Sequence, residues 1–233
     1  MASAFVLQVI GTIVLWTLSA ATAAALAVVV AALSLHRRRF VRGPAEAFIT
    51  LTRGIPTSLL VVSAGIAALP HAPPSWLPNP FPGTSPGLAG VAWAVTLALA
   101  LGSTGHLAVI LRTGYLALGT PRMEQATVLG LRGTARLRLL ARESAPATLA
   151  PLGARLVHHL HNTGFAALFP VADLFGWIQQ RAHETFDVSR YVAIGVGTYV
   201  ILSLLIWAGF RGLEHWLRTP VPLGRATRPR VAA

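Results

Sequence analysis

Apolar residues dominate this chain in long blocks, not at the intervals of an amphipathic helix or strand. Residues 5–35 carry no charge, and neither do residues 87–111. Blocks of this length exceed the ~20 residues an α-helix needs to cross a bilayer. A further uncharged block, 191–207, starts a last span. Two weaker blocks lie between. Residues 45–69 are apolar but hold Arg53-Gly54-Ile55-Pro56. Proline removes a backbone donor and kinks a helix, and in a membrane such a break persists only where protein or a cavity covers it. Residues 146–162 carry Arg155, His158, His159 and His161, and apolar residues resume over 165–178 with Pro170 and Asp173 interrupting. The pattern predicts an all-α integral membrane protein of five spans. The fourth is broken and is followed by an outer amphipathic helix.

The connecting segments orient the spans. Arg37, Arg38, Arg39 and Arg42 follow the first block, and no basic residue precedes it. By the positive-inside rule the N-terminus lies outside and the first loop inside. The stretch 70–86 is proline-rich and uncharged, which reads as an extended outer loop with Trp76 at the interface. Arg122, Arg132, Arg136, Arg138 and Arg142 put the segment 120–144 in the cytoplasm, with Thr120 as an N-cap, Pro121 at the first helical position, and Gly130 and Gly133 dividing two short helices. Arg211, Arg218, Arg225, Arg228 and Arg230 fix the C-terminus inside. Residues 1–220 read as one membrane domain, and 221–233 as a cytoplasmic tail expected to be disordered.

Composition narrows the chemistry. The 233 residues are 54% hydrophobic and 11% charged, against about 25% charged in soluble domains. The net charge is +12, and every basic residue is Arg. These arginines flank apolar spans without any nucleic-acid-binding motif, so they read as topology signals and as contacts to anionic lipid. There is no cysteine, which excludes disulfides and thiolate chemistry. Only seven residues are acidic and none lies deep in a span; His158 and Ser103 have no nucleophile motif around them. No catalytic residue is therefore assigned. His158 and His161 share a helix face while His159 points elsewhere, and acidic co-ligands are lacking, so no metal site is assigned either. A guanidinium inside a span is costly and normally faces a cavity or a partner, which singles out Arg155. It can bind a carboxylate bidentately, serve as a structural pair, or snorkel to the inner face. His161, Asn162 and Thr163 can hydrogen-bond a zwitterion at a broken helix end, or cap the helix. Ser103, Thr104 and His106 form a small polar set in the third span, of the kind that more often serves helix packing.

Four motifs, in order along residues 8–218, resemble the permease subunit of polar amino-acid ABC importers of the glutamine/histidine/arginine type. Arg53-Gly54-Ile55-Pro56 resembles the family's Arg-Gly-Thr-Pro, and His106-Leu107-Ala108 through Arg112-Thr113-Gly114 its Tyr-Leu-Ala-Glu-Ile-Phe-Arg-Gly-Gly. Glu124-Gln125-Ala126-Thr127-Val128-Leu129-Gly130-Leu131 resembles its Glu-Ala-Ala-x-x-x-Gly-Leu, and Pro151-Leu152-Gly153 with His161-Asn162-Thr163 its Pro-Leu-Gly and Lys-Asp-Thr-Ser. The resemblance implies the type I importer permease fold, with the loop 121–140 docking a separate ATPase pair that binds ATP and Mg. This chain has no G-x-x-x-x-G-K-[ST] and binds no cofactor of its own. Glu124, Gln125, Ala126, Gly130, Arg132 and Arg136 are the implied coupling residues. Arg155, His158, His161, Asn162 and Thr163 are candidates for the substrate pathway, and Arg53, Gly54 and Pro56 for a structural helix break. Implied partners are an ABC ATPase dimer, a second permease copy or sister permease, an extracytoplasmic substrate-binding protein and membrane lipid, in a bacterial inner membrane. The chain departs from the family's pattern at Gln125, Val109, His161, Asn162 and Gly164, and its nearest proline after the coupling segment is Pro146. Those departures leave the solute open between a polar amino acid and another small polar solute such as an organic cation or an opine. A membrane scaffold without transport is the remaining alternative.

Overall fold

A computed structural model describes residues 2–131 and 133–218 as eight α-helices joined by loops and two short 3₁₀ segments. Three helices are long and apolar enough to cross a membrane: α1 (Ala2–Ser34), α4 (Ala89–Leu116) and α8 (Val188–Arg218). Of these α4 is the most buried and α8 the least. Helix α4 is the hub of the bundle, packed by α1, α2, α3 and α6. Alanines along one side of α1 (Ala23, Ala27, Ala31) meet Ala100, Leu107 and Ala108 of α4 in a tightly packed apolar cluster, the close approach that small residues permit where lipid supplies no hydrophobic drive.

The 45–69 block is more sharply broken than a kink. Helix α2 (Arg39–Gly54) and α3 (Thr57–Ala68) turn by 93° at Ile55-Pro56. Counted as one span, this bent pair makes four candidate spans among the described residues, against the five expected. The remaining one, expected over 146–162, is part of a longer element: α6 runs unbroken from Gly133–Asn162, through Pro146 and Pro151. The second of the two expected short helices is thus the foot of this longer helix. Its arginines and histidines leave it too polar to qualify as a span by composition. Helix α5 (Gly119–Val128) starts one residue before Thr120, with no side-chain cap.

The 70–86 loop is anchored. Phe81 is buried and packs edge-on against Trp93 with centroids 5.3 Å apart, while Trp93 donates to the Pro78 carbonyl at 2.8 Å. After α6 the chain forms a 3₁₀ segment (Thr163–Leu168) and then α7 (Leu174–Thr185), a helix in the region where an amphipathic one is expected. Asp173 caps α7 by accepting from Phe175 N at 2.8 Å and Gly176 N at 3.2 Å. Thr12 of α1 accepts from Leu174 N at 2.8 Å, which pins α7 to the bundle. The expected tail, 221–233, lies outside the described residues.

Candidate functional site

Halfway along α4, polar groups from four helices converge. Gly102 is the fourteenth of the 28 residues of α4, so it lies near mid-bilayer if α4 spans. Arg155 of α6 donates from one Nη to the Gly102 carbonyl at 3.0 Å and to Ser103 Oγ at 3.3 Å. Its Nε is buried and without a hydrogen-bond partner. One turn on, His159 is fully buried between two hydroxyls: Ser19 of α1 lies 2.8 Å from its Nε2 and Ser103 lies 2.7 Å from its Nδ1. Ser19 Oγ donates to the Leu15 carbonyl at 2.7 Å, so it accepts from an Nε2–H, and Ser103 Oγ is left to donate to Nδ1. Trp16 Nε1 donates to the Leu156 carbonyl at 3.1 Å and fastens the same stretch of α6 to α1. The result is a continuous polar chain, α1–His159–Ser103–Arg155–α4.

The helix break at Ile55-Pro56 sits against this layer because α4 offers glycines there. A Cβ on Gly102 would lie 2.8 Å from Thr57 Oγ1, and one on Gly105 would overlap Thr52 and lie 3.1 Å from Arg53 Cγ. Arg53 is thereby laid across the middle of α4. His106 lies within electrostatic range of Arg155, Arg53 and His158. Arg53, Gly54, Ile55, Pro56 and His158 are exposed, so the layer opens on one face of the chain and is not closed over.

The residues expected to line one pathway are divided among three directions. Arg155 and His159 turn toward α4 and α1. His158 is exposed beside them. His161 faces α8, where its Nε2 lies 3.1 Å from Ser203 Oγ, in an apolar groove of about 780 Å³ between α6, α7 and α8 that Tyr199 and Trp207 also line. Asn162 ends α6 and Thr163 opens the 3₁₀ segment after it. The Thr163 hydroxyl donates to the Leu160 carbonyl at 2.7 Å, and the Asn162 Nδ2 is buried without a partner. The three histidines therefore diverge. Sequence reasoning passed over His159 and Ser103 as a working pair, although His159 stands one helical turn from Arg155, the spacing that stacks two side chains on one face.

At the end of α4 nearer Arg112, the α5–α6 hairpin projects from the bundle. Glu124 and Gln125 are exposed and Ala126 is fully buried. Helix α5 closes in a Schellman turn: Leu131 N donates to the Ala126 carbonyl at 3.1 Å and Gly130 N to the Thr127 carbonyl at 2.9 Å. Gly130 has φ +67° and Gly133 φ +53°, the left-handed region that glycine occupies without penalty. Of the other coupling candidates, Arg132 lies outside the described residues, and Arg136 falls in the first turn of α6.

No family model matches the chain, and no curated protein does. A solved structure described as an amino acid ABC transporter with histidines is similar to it, with a TM-score of 0.73 over 92% of this chain and 94% of that chain, at 18% identity. The chain shares the fold of that transporter chain.

Proposed function

We propose that this chain is the membrane permease subunit of an ATP-driven importer for polar amino acids, placed in a bacterial inner membrane. The fold carries the reading. Nearly the whole chain superposes on a chain of an amino acid ABC transporter, and the two features such a subunit needs stand at different places in that fold. A polar layer crosses the middle of the bundle, and an exposed hairpin, ordered by a Schellman turn, presents Glu124 and Gln125 at one end. In this reading residues 1–220 form one five-span domain, N-terminus out and C-terminus in, with α6 as the fourth span. The chain pairs with a second permease across the open face of the layer and hydrolyses nothing itself. A separate ATPase dimer holds ATP and Mg and grips the 121–140 hairpin, through Glu124, Gln125, Ala126, Gly130, Arg132 and Arg136. A binding protein delivers the solute from outside. ATP shifts access by binding one arrangement of the assembly more tightly than the other.

The test is copurification of an ABC ATPase with the full chain, followed by ATPase assay of the complex in lipid. Glu124→Ala is expected to lower ATPase recovery and stimulation at least tenfold while the chain still extracts and folds as the parent does. Unchanged recovery and stimulation would remove the docking role.

A further inference from the structure

Two guanidinium groups and two imidazoles surround the mid-helix layer. Arg53, His106, Arg155 and His158 gather there from the α2–α3 break, α4 and α6. No carboxylate stands within ion-pair distance of Arg155 or Arg53 among the described residues. Five of the seven acidic side chains are accounted for elsewhere. Glu46 pairs with Arg42 and Arg112, Glu184 with Arg181, and Asp173 caps α7. Asp187 accepts from the Ser189 hydroxyl and Arg190 N beyond α7, and Glu124 is exposed on the hairpin.

A guanidinium at mid-bilayer without a counter-charge is among the costliest arrangements a membrane protein can hold, and it persists where a pathway or ligand requires it. Arg155 is only half engaged. One Nη is spent on Gly102 and Ser103, which fix the plane of the fork, while the buried Nε has no acceptor. His159, locked between Ser19 and Ser103, keeps Ser103 in place and so holds the fork from behind. The open side is flanked by exposed His158 and Arg53. The guanidinium is thus held in a fixed orientation with no carboxylate paired to it, and a carboxylate is the group its charge and geometry match. A cationic solute would meet the two guanidinium groups and no carboxylate. A neutral zwitterion would satisfy Arg155 with its carboxylate but would set its ammonium beside Arg53.

On these grounds, and resting on the permease reading, we propose that the solute carries net negative charge, in the class of acidic amino acids, with Arg155 anchoring a carboxylate and Arg53 and His158 facing the rest of the anion. An organic cation finds no carboxylate to pair with in the same arrangement.

The test uses the full chain, in the oligomeric state in which it is extracted, in nanodiscs of zwitterionic lipid. L-glutamate, L-glutamine and L-arginine are the probes. Glutamate is expected to bind at least tenfold more tightly than arginine, with the preference shrinking as salt is raised. Arg155→Gln is expected to weaken glutamate at least tenfold, and Arg155→Lys to restore part of the loss. If Arg155→Gln fails to fold, His158→Ala, at an exposed position, is the second variant, with a several-fold loss for glutamate and none for glutamine. Arginine or glutamine binding as tightly as glutamate would overturn the proposal, and so would unchanged glutamate affinity in folded Arg155→Gln. ATPase copurification is scored separately. Its failure with glutamate preference intact counts against the permease role alone, and the converse counts against the anionic solute alone.

Discussion

His159 shows how one side chain decides the shape of the bundle. It is fully buried and both ring nitrogens are occupied, each by a hydroxyl of a different helix. Removing it strips both cross-helix bonds and opens a void, while Ser19 keeps the Leu15 carbonyl and Ser103 keeps Arg155. An unsatisfied buried polar group costs about 1–3 kcal/mol, so His159→Ala is expected to destabilise the chain by roughly 2–4 kcal/mol. Ser19→Ala, which strips one of the two bonds and adds no void, should cost less than half of that. Unfolding in mixed micelles by SDS titration measures both, and equal effects would contradict the brace. Arg155 was legible in the sequence as a charge in an apolar setting. The brace was not, because serine in a transmembrane segment ordinarily bonds its own helix, as Ser19 also does with Leu15 at 2.7 Å. Only the tertiary structure shows which serine also reaches across.

At the scale of elements, glycines set where helices meet and where they end. A Cβ on Gly65 of α3 would overlap the ring of Phe169, which is itself buried in the outer core cluster. Gly65→Ala should therefore push α3 from the 3₁₀ segment after α6 and cost about 1–3 kcal/mol as overpacking, read as a lowered melting temperature. Gly130 is a different case. Nothing lies within 4 Å of where its Cβ would be, so only the positive φ opposes a side chain. Gly130→Ala should cost about 1–2 kcal/mol of local backbone strain, and Gly130→Asn less, since asparagine tolerates this conformation. The ordering glycine, asparagine, alanine in hydrogen-exchange protection of α5 checks the Schellman turn. The turn was readable from Gly130 itself. The continuity of α6 was not: Pro146 looked like a helix start, yet a packed bundle tolerates proline inside a membrane helix because neighbouring groups re-satisfy the freed carbonyl. The right-angle turn at Ile55-Pro56 was foreseen only as a kink, because proline fixes that a helix breaks and the glycines of α4 fix where its second half goes.

For the molecule as a whole, the block pattern of the sequence carried the class, and three of the expected spans appear as α1, α4 and α8. The span count and the direction of insertion rest on arginine placement. The absence of native cysteine makes orientation directly measurable. Trp76→Cys, on the exposed proline-rich loop, should react with a membrane-impermeant maleimide added to intact cells. Gln125→Cys, exposed on the hairpin, should react only after permeabilisation. The reverse pattern would invert the topology and remove the hairpin from any cytosolic ATPase.

The unbroken course of α6 couples two distant places that the sequence appeared to separate. From Gly133 to Arg155 is 22 residues, roughly 33 Å of a single rod at 1.5 Å per residue. Its foot rests on two left-handed glycines with open space around them, and its upper part carries the guanidinium. A tilt of about 10° about that foot would sweep the guanidinium by roughly 6 Å at that length, enough to strip it from the Gly102 carbonyl. On the proposed reading such a pushrod needs no relay of side chains between motor and cargo: a partner that grasps the foot would also set whether the proposed anion is held.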